Sequence, residues 1–296
     1  MLEYAIQIAI QTLNASTPLL LAATGEIVAE RSGIANIGVE GMMLISAFMA
    51  ILGTSFANDP YIGLALALLT GTALGMLLGY LSAYAKGNQI VTGVGINLFA
   101  TGFVAYSIIA FFHVAGYYTI PIELSLPKVY GLSVVAPASI AVAILTYLFL
   151  YRTQTGLAIR ACGENPEAAD SVGIRVELVQ MLSAGFGGLL AGAAGAFLSI
   201  GWLASITKQI TAGRGFIALA IVNFANWNPL LGLAGSLLFG FFWVIGEWAK
   251  NIAWLSRLLP MELLNTLPYV ATLAIVAGVI GRSRPPKYVG VPYTRE

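Results

Sequence analysis

The chain has 296 residues, of which 58% are hydrophobic and only 9% charged, with a net charge of +1 and a mean hydropathy of +0.86. A soluble globular domain carries about 25% charged residues, so this composition excludes one and requires a polytopic membrane protein. No basic cluster suggests nucleic acid, the single Cys162 excludes an internal disulfide, and the lone His113 has no carboxylate at ligand spacing that would make a metal site.

A helix rises 1.5 Å per residue, so a hydrocarbon core of about 30 Å needs about 20 apolar residues. Runs of that kind fall near 4–25, 37–57, 61–85, 90–112 and 131–151, then near 178–200, 211–226, 229–249 and 262–281. They predict an all-α fold of nine transmembrane helices. The bounds are eight and ten, because 211–226 is short and 31–41 is rich in glycine and charge. Glu3 precedes the first run without a basic n-region, which predicts a retained span and not a cleaved signal.

Polar residues inside the runs need protein or water beside them. Gln89, Gly93, Asn97 and Thr101 recur every four residues and share one helix face, which either lines a translocation path or hydrogen-bonds a neighbouring helix. In the run at 178–200, Ala184, Gly188, Gly192 and Ala196 form a ridge of small residues beside Gly187, Ala191, Gly195 and Ser199, which predicts close helix packing. Trp202, Trp227, Trp243, Trp248 and Trp254 fall toward expected membrane interfaces.

Residues 152–177 stand apart, with three Arg, three Glu and one Asp between two apolar runs. Such charges cost about 2.5–3.5 kcal/mol each in a bilayer, so this stretch must stand in water. Asn165 as cap, Pro166 at the first helical position, Glu167 and Asp170 near the positive end and Gly173 as the stop predict a short exposed helix flanked by Arg160 and Arg175. If this loop is cytoplasmic, alternation puts Arg31, Lys86, Arg152, Arg160, Arg175, Arg282, Arg284, Lys287 and Arg295 inside, nine of the fourteen basic residues. That bias satisfies the positive-inside rule and places the amino terminus outside.

The segment from Pro60 to Gly71 aligns with that from Pro229 to Gly240, matching the proline, two glycines and a leucine pair. Upstream, Gly41 and Gly215 align more weakly, each preceded by a charge, Glu40 and Arg214. Aligned partners lie five expected helices apart, so the second copy is upside down and the pattern is an inverted repeat. The halves run about 4–151 and 178–281, with the coupling loop 152–177 between them and a cytoplasmic tail at 282–296. Interrupted segments at 32–41 and 207–215 then occupy equivalent places, where broken helices can bind polar groups near the midplane. Glu40 and Arg214 are left free to pair, to face a pathway or to sit at an interface.

The run EAADSVGI at 167–174 resembles the coupling segment of ABC importer permeases, and GLAIRACGENPEAADSVGI is similar to the branch serving simple sugars and nucleosides. ERSGIANIGVEGMM (30–43), TAGRGFIALAIVNFANWNPLLGLAGSLLFG (211–240) and PYVATLAIVAGVIGRSRPP (268–286) resemble the same branch, closest to nucleoside permeases. The resemblance implies a permease subunit of an ATP-driven importer in the plasma membrane of a prokaryote, moving a nucleoside or simple sugar inward by alternating access. It implies an ATPase subunit, a second permease subunit and an extracytoplasmic substrate-binding protein as partners besides the lipid bilayer. Coupling falls to Arg160, Glu164, Asn165, Glu167, Asp170, Gly173 and Arg175, and the pathway to Asn36, Glu40, Gln89, Asn97, Thr101, Arg214 and Phe216. No phosphate loop, nucleophile elbow or HExxH motif is present, so the chain is not expected to be an enzyme, and ATP and Mg are expected on the separate ATPase. The rival is an ion-coupled secondary transporter or channel for a small polar solute, which needs intramembrane acids; Glu40 and Glu247 are its candidates.

Overall fold

The computed structural model describes residues 2–250, 266, 270 and 283–294. Apart from residues 266 and 270, the expected span at 262–281 lies outside the described residues, as do Arg257, Arg282, Arg295 and Trp254. The described helices are α1 (Leu2–Arg31), α2 (Val39–Ala57), α3 (Pro60–Ala83), α4 (Gln89–Phe112), α5 (Val135–Arg152), α6 (Gln154–Glu164), α7 (Pro166–Ser171), α8 (Val176–Ala196), α9 (Arg214–Phe224) and α10 (Pro229–Lys250). Among the described residues seven are long and apolar enough to cross a bilayer: α1 to α5, α8 and α10. This is an all-α polytopic membrane fold, but the expected span at 211–226 is corrected. Its helix, α9, has 11 residues, about 16 Å of rise, half of what a hydrocarbon core requires.

Caps explain where the helices begin. Asp59 accepts from the Tyr61 amide at 2.7 Å ahead of α3, and Asn228 accepts from the Leu230 amide at 2.9 Å ahead of α10. Pro60 and Pro229, aligned in the repeat, therefore start their helices in the same way, each giving up an amide that had no partner. The two helices begin at opposite ends of the bundle. α10 starts beside the end of α1, where the Arg31 guanidinium donates to the carbonyls of Asn226 and Trp227 at 3.3 and 3.1 Å. α3 starts after the 19 residues of α2 have carried the chain away from that end.

The helices interlock across the two halves through small residues. α8 packs against α1, α2 and α3, and α10 against α1 and α9. A Cβ at Gly188 would run into the Gly71 carbonyl and one at Gly71 into the Gly188 carbonyl, so α3 and α8 touch backbone to backbone. Gly192 faces the Ala67 carbonyl at 2.6 Å from a would-be Cβ, and Gly195 faces Met43 and Ala47 of α2. Gly187 lies against Gly25 and Ala29 of α1. The ridge read from the sequence thus serves three neighbours, where van der Waals contact and not hydrophobic burial must supply the attraction.

At the far end of α4, short strands close the surface. β1 (Tyr117–Thr119) pairs antiparallel with β4 (Ser205–Thr207), while β2 (Lys128–Val129) pairs with β3 (Leu132–Ser133). Asn14 of α1 ties the β2–β3 turn down, donating to the Gly131 carbonyl and accepting from the Ser133 amide. Trp227 departs from the expected interfacial position, because it is buried with its indole N–H on Glu30.

Replacing Gly188 by leucine is expected to destabilise the α3–α8 contact by about 1–3 kcal/mol or more, since overpacking here meets backbone and not a movable side chain. Gly102→Ala, at a position with open space beside it, should be nearly neutral. Thermal denaturation of the two purified variants in detergent checks the contrast.

Candidate functional site

Two breaks in the helical framework define the site. The first, residues 32–38, joins α1 to α2 and is sunk among the helices, with Ser32, Ile34 and Asn36 all buried. A backbone buried this way must find partners for its amides and carbonyls. Gln89, at the start of α4, accepts from the Ala35 amide at 2.6 Å and donates to the Gly33 carbonyl at 3.4 Å. Two turns further on, Asn97 donates to the Ile37 carbonyl at 2.9 Å and accepts from the Gly41 amide at 2.7 Å. Gly93, between them, lies so close that a Cβ would sit 2.7 Å from the Gly38 nitrogen. Gln180 of α8 donates to the Ser32 carbonyl at 3.1 Å. The polar stripe on α4 therefore staples the broken segment. Thr101 is not brought into this set: it is exposed and bonds the Asn97 carbonyl of its own helix.

The second break enters from the opposite end. After β4 the chain turns inward through buried Ile210 and Thr211 and starts α9 at Arg214. The start of α9 meets the start of α2. Glu40 Oε1 accepts from the Gly213 amide at 2.8 Å and Oε2 from the Gly215 amide at 2.6 Å. A carboxylate bonded to two free amides at the positive end of a helix is strongly favoured. A Cβ on Gly215 would lie 2.6 Å from the Glu40 Cα, so the matched glycine is required for this approach. Gly41 plays the same part in the other half, where a Cβ would lie 2.9 Å from the Asn97 Cα.

The repeat makes Glu40 and Arg214 equivalent in sequence, but they do different work. The Arg214 guanidinium lies over the rings of Trp243 and Trp202, 4.6 and 5.9 Å from their centroids, and donates to the carbonyls of Ile210 and Thr211. Phe216, one turn into the same helix end, is 49% exposed. Asn36 is buried, its amide N–H donating to Glu26 at 2.9 Å and its side-chain nitrogen facing the Met42 sulfur at 3.7 Å. Glu26 and Glu30 are the acids that sequence reasoning missed. Both are buried in α1, one turn apart, with Glu30 accepting from the Trp227 indole. Their four-residue spacing inside an apolar helix was the available signal.

The charged stretch forms two helices. α6, absent from the sequence reading, is capped by Thr153, whose hydroxyl accepts from the Gly156 amide at 3.0 Å. α7 follows the expected local rules: Asn165 accepts from the Ala168 amide at 3.0 Å, Pro166 takes the first position, and Gly173 has a left-handed φ of 86°. Glu164, Asn165, Glu167, Gly173 and Arg175 are exposed. Arg160 faces inward instead, donating to the Leu150 carbonyl at 3.1 Å and stacking over Tyr151 at 4.9 Å. Asp170 accepts from the Tyr293 hydroxyl. Ala169 and Cys162 are buried beneath, and burial pushes the Cys162 thiol up from 9.0 to about 11.

Residues 8–281 match the model of a family described as "Branched-chain amino acid transport system / permease component". The chain is 31% identical to the guanosine ABC transporter permease protein NupQ of Bacillus subtilis, over 96% of this chain and 95% of that protein. It is 32% identical to the nucleoside ABC transporter permease protein NupC of Lactococcus lactis, over 95% and 94%. A Haloferax volcanii protein named as a candidate glucose ABC transporter permease is 31% identical over 92% and 91%. No solved structure matches the chain.

Asn97→Leu leaves the Gly41 amide and the Ile37 carbonyl without their partner, which is expected to cost about 1–3 kcal/mol per group; Thr101→Val should cost far less. Melting of the two variants in detergent distinguishes them. Cys162 is expected to resist maleimide at pH 8, where only about one thiol in a thousand is ionised for a value near 11. Labelling should rise with pH through that range or when the loop is unfolded, as mass spectrometry of the intact chain would show.

Proposed function

This chain belongs to the branched-chain amino acid transport system / permease component family, and from that premise we propose that it carries a nucleoside or a simple sugar into a prokaryotic cell. It is the permease component of an ABC importer, a multi-pass protein of the plasma membrane and not an enzyme. Such permeases work with an ATPase and a substrate-binding protein. ATP and Mg belong to the ATPase, a second permease subunit completes the pathway, and the binding protein delivers substrate from outside.

The observation that supports this reading best is the build of α7. Its buried residues, Pro166 and Ala169, fix it to the body, while Glu164, Glu167 and Arg175 stay in solvent. A rigid helix with a charged outer face can pass a displacement on; a solvated loop would absorb it. The exposed ring of Phe216, two residues into α9 beside the Glu40 cap, supports this reading, because an aromatic face stacks on a planar base. That ring and the guanosine and nucleoside permeases among the relatives support a nucleoside, and the relative named for glucose supports a sugar.

The test is ATP hydrolysis by the reconstituted complex, with binding protein, across a panel of nucleosides and pentoses. Stimulation by nucleosides and not pentoses is the expected result, and stimulation by pentoses alone would overturn the substrate assignment. Glu167→Arg should weaken co-purification of the ATPase while leaving the permease folded within about 0.5 kcal/mol, because the site is exposed. Full retention of the ATPase by that variant would remove α7 from the docking surface.

A further inference from the structure

The described tail, residues 283–294, forms no helix or strand, yet it is held at four points. The Arg284 amide donates to the Asn226 side-chain oxygen at 3.0 Å, in the turn between α9 and α10. The Tyr288 amide donates to the Gly163 carbonyl at 3.0 Å, at the end of α6. The Gly290 amide donates to the Gly33 carbonyl at 3.2 Å, in the first break. Tyr293 is 8% exposed, and its hydroxyl donates to Asp170 at 3.1 Å on α7. Its ring packs with Cys162, Ala169 and Val176 in a small cluster apart from the main core, under the Lys86 ammonium at 5.8 Å.

Fixing a chain without regular structure costs conformational entropy, which these anchors offset. The anchors lie in the α9–α10 turn, at the end of α6, in the first break and on α7. Gly163 is already pressed on the break, since a Cβ there would meet the Arg31 carbonyl and lie 3.2 Å from the Gly33 nitrogen. The tail closes the remaining side of that contact.

We propose that residues 284–293 form a transmission strap, joining α7 to the 33–38 break and to the α9–α10 turn, with Tyr293 as the positioning residue that sets α7 against the body. The inference rests on the reading that Glu164 to Arg175 receives the ATPase. When α7 is displaced, Asp170 draws Tyr293, and the tail carries the displacement to Gly33 and Asn226. α2 begins after Gly33 and α9 ends before Asn226, so one pull reaches both. Tyr293→Phe removes only the hydroxyl, and Gly290→Ala strains the left-handed turn, with φ of 79°, that carries the bond to Gly33.

The experiment measures substrate moved per ATP hydrolysed by the complete reconstituted transporter, together with ATPase co-purification. Both tail variants are expected to keep the ATPase and its basal hydrolysis while the ratio falls at least about threefold. Asp170→Asn, whose amide oxygen still accepts from the phenol, should keep more of the ratio than Asp170→Ala. An unchanged ratio in Tyr293→Phe and Gly290→Ala overturns the strap, and so does loss of the ATPase from either, because the strap transmits and does not dock. Glu167→Arg separates the two readings. If that variant keeps the ATPase, the docking surface falls and the strap with it; if it loses the ATPase while the tail variants leave the ratio unchanged, the strap alone falls.

Discussion

A backbone that breaks inside a bilayer must have its freed amides and carbonyls taken up by protein, and the rest of this structure follows from how that is done. The first break is held by Gln89 and Asn97 from α4 and by Gln180 from the opposite half. The second is held by Glu40, which sits in the first turn of the helix that leaves the first break. Each break is held by its own side chains, Gln89, Asn97 and Gln180 at the first and Glu40 at the second. The two halves are joined at their weakest backbone points, each side-chain bond to a charged group contributing about 1.5–3 kcal/mol.

That arrangement sets the requirements on packing. For the Glu40 carboxylate to reach two amides, the helix ends must approach to within a glycine of each other, and Gly41 and Gly215 permit it. For α8 to lie against α1, α2 and α3 at once it needs a face without side chains on each side, which Gly187, Gly188, Gly192 and Gly195 provide. Close packing fixes the helices, and the hydrogen bonds fix the breaks. What this leaves is two short helix ends inside, a charged helix outside, and a close approach of Gly163 to Gly33.

What the sequence disclosed follows the range of the interactions. The long helices were legible because a hydrophobic run carries its own length. α7 was legible because Asn165, Pro166 and Gly173 act on amides within a few residues of themselves. The small-residue ridge of α8 was legible as a packing surface, though not which neighbours it met. What escaped notice acts across the chain. Glu30 finds Trp227 and Glu40 finds Gly213 over separations of 197 and 173 residues, and no local pattern marks such partners. The span expected at 211–226 failed because an apolar run of that length fits a half-helix as well as a short span. The polar stripe on α4 left two uses open, and the geometry spends Gln89 and Asn97 on the break beside them.

The central claim is that Glu40 and Asn97 cap the two broken helices independently, one at α9 and the other at α2. Amide hydrogen exchange of the intact protein, read at Gly41, Gly213 and Gly215, tests it most directly. In Glu40→Ala the account predicts that protection falls at Gly213 and Gly215 while Gly41 keeps its own; in Asn97→Ala it predicts the reverse. Protection that is unchanged at all three amides in both variants would contradict it.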